Sequence, residues 1–319
     1  MRPQDQFVAE REPGWRELDE LLGGDARLHE LPPRSISRAA ALYRSACADL
    51  MQARSAGYDA ELLAHLDGLA ARAHNELYGA RPVQLGALWG FALREFPRTL
   101  RAHARPFALA SALFYAPLLV TLGATLLEPE VATAILPRAV LDASAEAYAN
   151  GLEGRGSGVD ATMAGFYVRN NVGIALRCFA TGILFGLGSA YFLVFNGAVI
   201  GATIGWVIAV GHGRSILTFV CGHAPLELTA ICVAGGAGLQ LGDALVRTEG
   251  RTRLGSLRRH APAVGTLIGG AALMLLIAAA IEGFWSPSAV IAEVKWGVAG
   301  ALTVLVAAYL ALAGRGSDA

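Results

Sequence analysis

The chain changes its pattern of apolar and polar positions near residue 106. Before that point apolar residues recur at helical spacing among many charges. Residues 7–22 (FVAEREPGWRELDELL) read as one amphipathic helix stopped at Gly23-Gly24. Residues 35–56 read as a second, with Ser35 or Ser37 as N-cap after the breaker pair Pro32-Pro33. Residues 59–78 read as a third, capped by Asp59, with Leu62, Leu63, Leu66, Leu69 and Leu77 near one face. After residue 106 the amphipathic pattern gives way to apolar runs of membrane-spanning length, about 20 residues each. The expected spans are 107–127, about 174–195, about 197–210, about 216–241, 263–281 and about 296–313. The apolar run 172–210 is too long for one span and is divided at the turn dipeptide Asn196-Gly197. A polar loop over 128–171 is expected, irregular at Gly151 to Gly158, and a tight turn over Gly211 to Ser215.

The fold class expected is therefore all-α: a polytopic helical membrane protein of about six spans with an N-terminal cytosolic helical segment. The domains expected are a helical bundle over 1–80, a basic amphipathic stretch over 81–106 and a transmembrane domain over 107–314. The middle stretch mixes Leu88, Trp89, Phe91 and Phe96 with Arg94, Arg98, Arg101 and Arg105. It suits either a helix lying in the membrane interface or a linker helix packed on the soluble bundle.

Composition agrees: 54% of the 319 residues are hydrophobic and 16% charged, with a mean hydropathy of +0.46. Soluble domains carry about 25% charged residues. A net charge of zero gives no reason to expect a nucleic-acid partner. Cys47, Cys178, Cys221 and Cys232 show neither metal-ligand nor disulfide spacing. Acids at Asp5, Glu10, Glu12, Glu17 and Asp19 leave no apolar leader, so the first internal span is expected to drive insertion. Arginines set the orientation expected, because positive loops favour the cytoplasm. The cluster Arg94 to Arg105 and the 242–262 segment, with Arg247, Arg251, Arg253, Arg258 and Arg259, both fall inside if six spans are counted. Both termini are then cytoplasmic.

Polar groups within a bilayer are costly and so carry the candidate chemistry. Arg169, Asn170 and Asn171 enter the second span, with Arg177 deeper; Asn196 sits at the expected turn. His223 and Glu227 share one helix face at i, i+4 spacing. Such a pair can bind a metal, relay protons or satisfy itself as a buried polar pair. Two ligands fall short of a metal set, and there is no HExxH, no phosphate loop and no GxSxG nucleophile. No metal, no cofactor and no catalytic activity are expected. Gly182 and Gly186, and Gly197, Gly201 and Gly205, recur every four residues. Such ridges let helices approach closely, either within the chain or across a homodimer seam.

The stretches FYVRNNVGIALRCFATGILFGLGSAYFLVFNGAVIGA (166–202), GHAPLELTAI (222–231) and EGFWSP (282–287) resemble the stage II sporulation protein M family. The matching positions are Arg169, Asn170, Asn171, Asn196, Gly197, His223 and Glu227, with Ala224-Pro225 where that pattern has a glycine after the histidine. The resemblance implies a multi-pass protein of the bacterial inner membrane that scaffolds other membrane or envelope proteins. The competing expectation, resting on the intramembrane polar residues, is a transporter or channel component.

Overall fold

A computed structural model describes residues 3–23, 28, 31–78, 85–149 and 157–316, and among these every regular element is helical. The chain divides into two compact units, Met1–Gln84 and Leu85–Ala319.

The first unit is three helices, α1 (Pro3–Gly23), α2 (Pro33–Ser55) and α3 (Ala60–Tyr78). Their apolar faces meet in one core that includes Phe7, Trp15, Leu18, Leu42, Leu50, Leu66 and Leu69. Asp59 Oδ1 accepts the Leu62 amide at 2.8 Å and so caps α3. Helix α2 starts three or five residues earlier than a cap at Ser35 or Ser37 suggests. Pro33 occupies its first turn, where a missing N–H costs nothing, and no side chain caps it. Inside the core, Trp15 Nε1 donates to Asp49 Oδ2 at 2.8 Å, which gives a buried carboxylate a partner.

The second unit begins with α4 (Leu85–Gly90), a π-turn over Phe91–Glu95 and α5 (Phe96–Ala102). This is the basic amphipathic stretch. It packs on the membrane helices, burying Phe96 and Leu100, while Leu88, Trp89 and Leu93 stay exposed. The long helices that follow are α6 (Ala104–Leu127), α8 (Ser157–Ala180), α9 (Leu187–Val207), α11 (Ala224–Val246), α12 (Arg253–Ala280) and α13 (Ala292–Leu312). Shorter helices α7 (Arg138–Ala149) and α10 (Gly213–Val220) connect them. Five stretches are long and apolar enough to cross a membrane, at 104–127, 187–220, 224–246, 253–285 and 292–312. Helix α8 lies packed among them through Val172, Ala175 and Phe179. Large apolar side chains such as Leu119, Val120, Leu187, Val304 and Leu305 point outward, as a lipid-facing surface requires.

The polar loop expected over 128–171 instead holds α7 and the first part of α8, and three further helix boundaries differ from those expected. The chain does not turn at Asn196-Gly197: α9 runs straight through it. Asn196 Nδ2 donates back to Phe192 O at 2.7 Å, and Gly197 is pressed against the α6 backbone at Phe114, so this dipeptide is a packing site. The reversal lies at 181–186 instead, where Thr181–Ile183 form a 3-10 turn and Gly186 takes φ 83°. That left-handed conformation favours glycine. Second, α9 passes into a π-turn with a kink at Gly211 (φ 100°), then α10, and the fourth expected span starts only at Ala224. Third, α12 begins at Arg253, because Thr252 Oγ1 accepts the Gly255 amide at 3.1 Å. Arg258 and Arg259 are therefore helical. Of the segment expected to be irregular, Gly151 to Gly158, residues 151–156 lie outside the described residues and 157–158 begin α8.

The glycine ridges are filled within the chain. A Cβ on Gly197 or Gly201 would meet α6 backbone at Phe114 or Leu118, and one on Gly205 would meet Thr125. Gly182 faces Gly238, and Gly186 faces Gly242, both on α11. With those faces occupied, the glycines no longer argue for a homodimer seam.

Candidate functional site

Four helical segments bring polar side chains to one buried spot in the second unit. His223 sits immediately before α11, and Pro225 in the first turn stiffens that start. Glu227 follows one turn later. Asn171 comes from α8, and Glu282 and Ser286 from the π-turn over Ile281–Trp285 that ends α12 and the residue after it. Lys295 is on the first turn of α13. Asn171, His223, Glu282, Ser286 and Lys295 are all buried, and Glu227 nearly so.

The contacts form an ordered network. Asn170 Nδ2 donates to Asn171 Oδ1 at 3.0 Å, and Asn171 Nδ2 donates to Glu282 Oε2 at 3.2 Å. His223 Nδ1 lies 3.2 Å from Ser286 Oγ. His223 Nε2 then faces Glu227 Oε2 and Glu282 Oε1, at 3.9 Å from each. These distances are too long for hydrogen bonds. Glu227 Oε2 is buried with no hydrogen-bond partner among the described residues. The Lys295 ammonium does not neutralise the carboxylates by direct contact; it donates to the backbone carbonyls of Ser286 (2.8 Å) and Ser288 (2.7 Å). One ligand atom from each of His223, Glu227 and Glu282 lies within 4.8 Å of the other two.

Phe219 packs edge-on against the His223 ring, with centroids 5.6 Å apart. A cavity of ≈ 400 Å³ opens beside it, lined by Tyr148, His212, Arg214, Ser215, Ser286 and Lys295 among others.

His223 and Glu227 do point into the bundle, toward α8. Their partner there is indirect: Glu282 stands between them and Asn171. Arg177 is exposed and donates from Nε to Gly173 O at 3.1 Å, on its own helix. Arg169 is exposed as well, and Asn196 is on α9, bonded to its own helix. The site therefore gathers Asn170, Asn171, His223 and Glu227 and leaves out Arg169, Arg177 and Asn196. Sequence reasoning missed Glu282, Ser286 and Lys295 as members. The signal was present in EGFWSP, a stretch that contributed to the resemblance without contributing a residue to the candidate set. All three stretches that carry the resemblance meet here.

The profile of the Stage II sporulation protein M family matches residues 86–287, more than half of the chain. The chain belongs to the stage II sporulation protein M family. The matched region of this family member begins where the second unit begins and includes Asn171, His223, Glu227, Glu282 and Ser286. It ends before α13, so Lys295 is outside it. Residues 5–79, nearly all of the first unit, match a domain of unknown function (DUF8413). No curated protein and no solved structure shows a significant match to this member of the family.

Proposed function

We propose that the protein is a non-catalytic organising component of the bacterial cytoplasmic membrane. Its multi-pass unit serves as a fixed platform, and its N-terminal helical unit docks other membrane or envelope proteins. Helix α8 crosses as a sixth span beside the five long apolar stretches, and both termini then lie in the cytoplasm. The observation that carries this reading is the backbone-to-backbone packing of α9 on α6 through Gly197 and Gly201, and of the 181–186 turn on α11 through Gly182–Gly238 and Gly186–Gly242. Alternating-access carriers rock one bundle against another. Helices interlocked at backbone contact resist that sliding, whereas a platform gains from it. Purification from native membranes in mild detergent should yield a reproducible set of copurifying proteins. That set should be lost when residues 1–80 are deleted and the membrane unit is retained. An unchanged set, or none from either chain, would remove the docking role.

The buried polar network favours a second reading, a transporter or channel component using Glu227 and Glu282. Under it, Glu227→Gln abolishes function in a complementation assay with folded yield intact. Under the platform reading, the same variant complements.

A further inference from the structure

We propose that His223, Glu227 and Glu282 form a binding site for a divalent transition-metal cation. This goes beyond the organising role, and neither depends on the other. Three ligand atoms face one another across a small gap. His223 Nε2 is 3.9 Å from Glu227 Oε2 and from Glu282 Oε1, and the set lies within 4.8 Å overall. With two sides of 3.9 Å and a third no longer than 4.8 Å, the centre of the triangle lies at most about 2.5 Å from each corner, within a few tenths of an ångström of the about 2.0–2.2 Å bonds such a cation makes to imidazole and carboxylate. The atoms are too far apart to bond one another and well spaced to share an ion.

The surroundings orient the same three atoms. Ser286 takes His223 Nδ1, so Nε2 is the nitrogen left facing the carboxylates. Asn171, itself held by Asn170, takes Glu282 Oε2 and leaves Oε1 facing the ring. Outer partners of this kind fix ligand geometry at metal centres. Glu227 Oε2 is buried and unpartnered among the described residues, a cost that a cation in the gap removes. Two carboxylates this close in a buried place repel when ionised, and Lys295 is committed to backbone carbonyls. One imidazole with two carboxylates is a mixed nitrogen and oxygen set. That favours ions such as Zn²⁺, Mn²⁺ or Fe²⁺ over Mg²⁺ and Ca²⁺, which prefer oxygen alone. The sequence offered two ligands at i, i+4; the π-turn at the end of α12 supplies the third.

The test uses the full chain in detergent, purified without a histidine tag, stripped with chelator and desalted. Titration with Mn²⁺ followed by electron paramagnetic resonance, and with Zn²⁺ by competition, should show one ion per chain. Pulsed measurements on the Mn²⁺ form should show nitrogen modulation from an imidazole. Glu227→Gln and Glu282→Gln should each weaken binding about 100-fold or more while remaining monodisperse, and Asn171→Ala about tenfold. Absence of stoichiometric binding of either ion overturns the proposal, and so does unchanged affinity in both folded Gln variants. The latter results would mean that the two carboxyl groups simply share a proton. Should the Gln variants fail to fold, the wild-type spectrum decides: nitrogen modulation supports the site, and a Mn²⁺ signal without it overturns the site.

Discussion

A lysine ammonium is rarely buried, and Lys295 is 1% exposed. Its two bonds to the carbonyls of Ser286 and Ser288 explain how it is tolerated: they hold the turn between α12 and α13 on which Ser286, the partner of His223, is carried. Lys295→Met keeps the stem and removes the donors, leaving the Ser286 carbonyl buried without them. The expected loss is about 1–3 kcal/mol per orphaned group, read as a lower melting temperature in detergent. An unchanged melt would show that water replaces the ammonium. The residue scale was only partly legible. His223 and Glu227 could be paired from their spacing, because i and i+4 share a helix face. Glu282 and Lys295 could not be added. Their contact with the pair depends on how α11, α12 and α13 dock, and no local pattern records that.

At the scale of elements, glycines decide which helices can touch. A Cβ at Gly238 would press on the carbonyls of Cys178 and Phe179, 2.7 Å away, and on Ser189. Gly265 on α12 has open space around its Cβ position. Gly238→Ala should therefore cost about 1–3 kcal/mol through overpacking. Gly265→Ala should be neutral or stabilise by up to about 1 kcal/mol through helix propensity. Melting temperatures of the two variants, compared in one detergent, check the contrast; equal shifts would contradict it. The end of α13 gives a second case. Arg101 donates to Leu310 O at 2.8 Å and to Ala313 O at 2.7 Å, and Arg98 to Gly314 O at 2.6 Å. These arginines satisfy terminal carbonyls that a helix leaves open. Arg101→Leu should fray the last turn of α13, seen as faster amide hydrogen exchange over 309–315 with little change elsewhere. A bundle of about this many apolar helices was legible because each run of apolar residues is long: six spans were expected, and five stretches are long and apolar enough to cross. The reversal near 181–186 was not, because Asn-Gly is the stronger turn signal in a sequence and only tertiary packing shows that α6 occupies its Gly197.

For the whole molecule, the division at Gln84 and Leu85 separates two different ways of being stable. The first unit has an ordinary aqueous core, with an anchor at Trp15. A fragment of residues 1–80 should be soluble and helical by circular dichroism. Trp15→Ala, which removes a large core side chain and leaves Asp49 without its indole donor, should cost about 3–5 kcal/mol. That is most of the stability of a small domain, so the variant fragment should lose its cooperative melt. A fragment that is unfolded as wild type would show that the unit needs the rest of the chain. Charge alone marks a later boundary, near residue 106, since a lipid-facing segment excludes charges that a water-facing one needs; the basic stretch before it packs on the membrane helices and so belongs to the second unit.

The length of α12 has one more consequence. Its 28 residues rise about 42 Å, more than the about 30 Å of a bilayer's hydrocarbon core. The Arg247–Thr252 turn stands at its start, and Glu282 just past its end. Whichever way the chain inserts, these two features are exiled to opposite compartments. The molecule is thus vectorial: anything that approaches the polar pocket from solution arrives on the side away from the Arg247–Thr252 turn. In sealed vesicles, a membrane-impermeant thiol reagent should label Thr252→Cys or Ala289→Cys in a cysteine-free background, but never both from the same side.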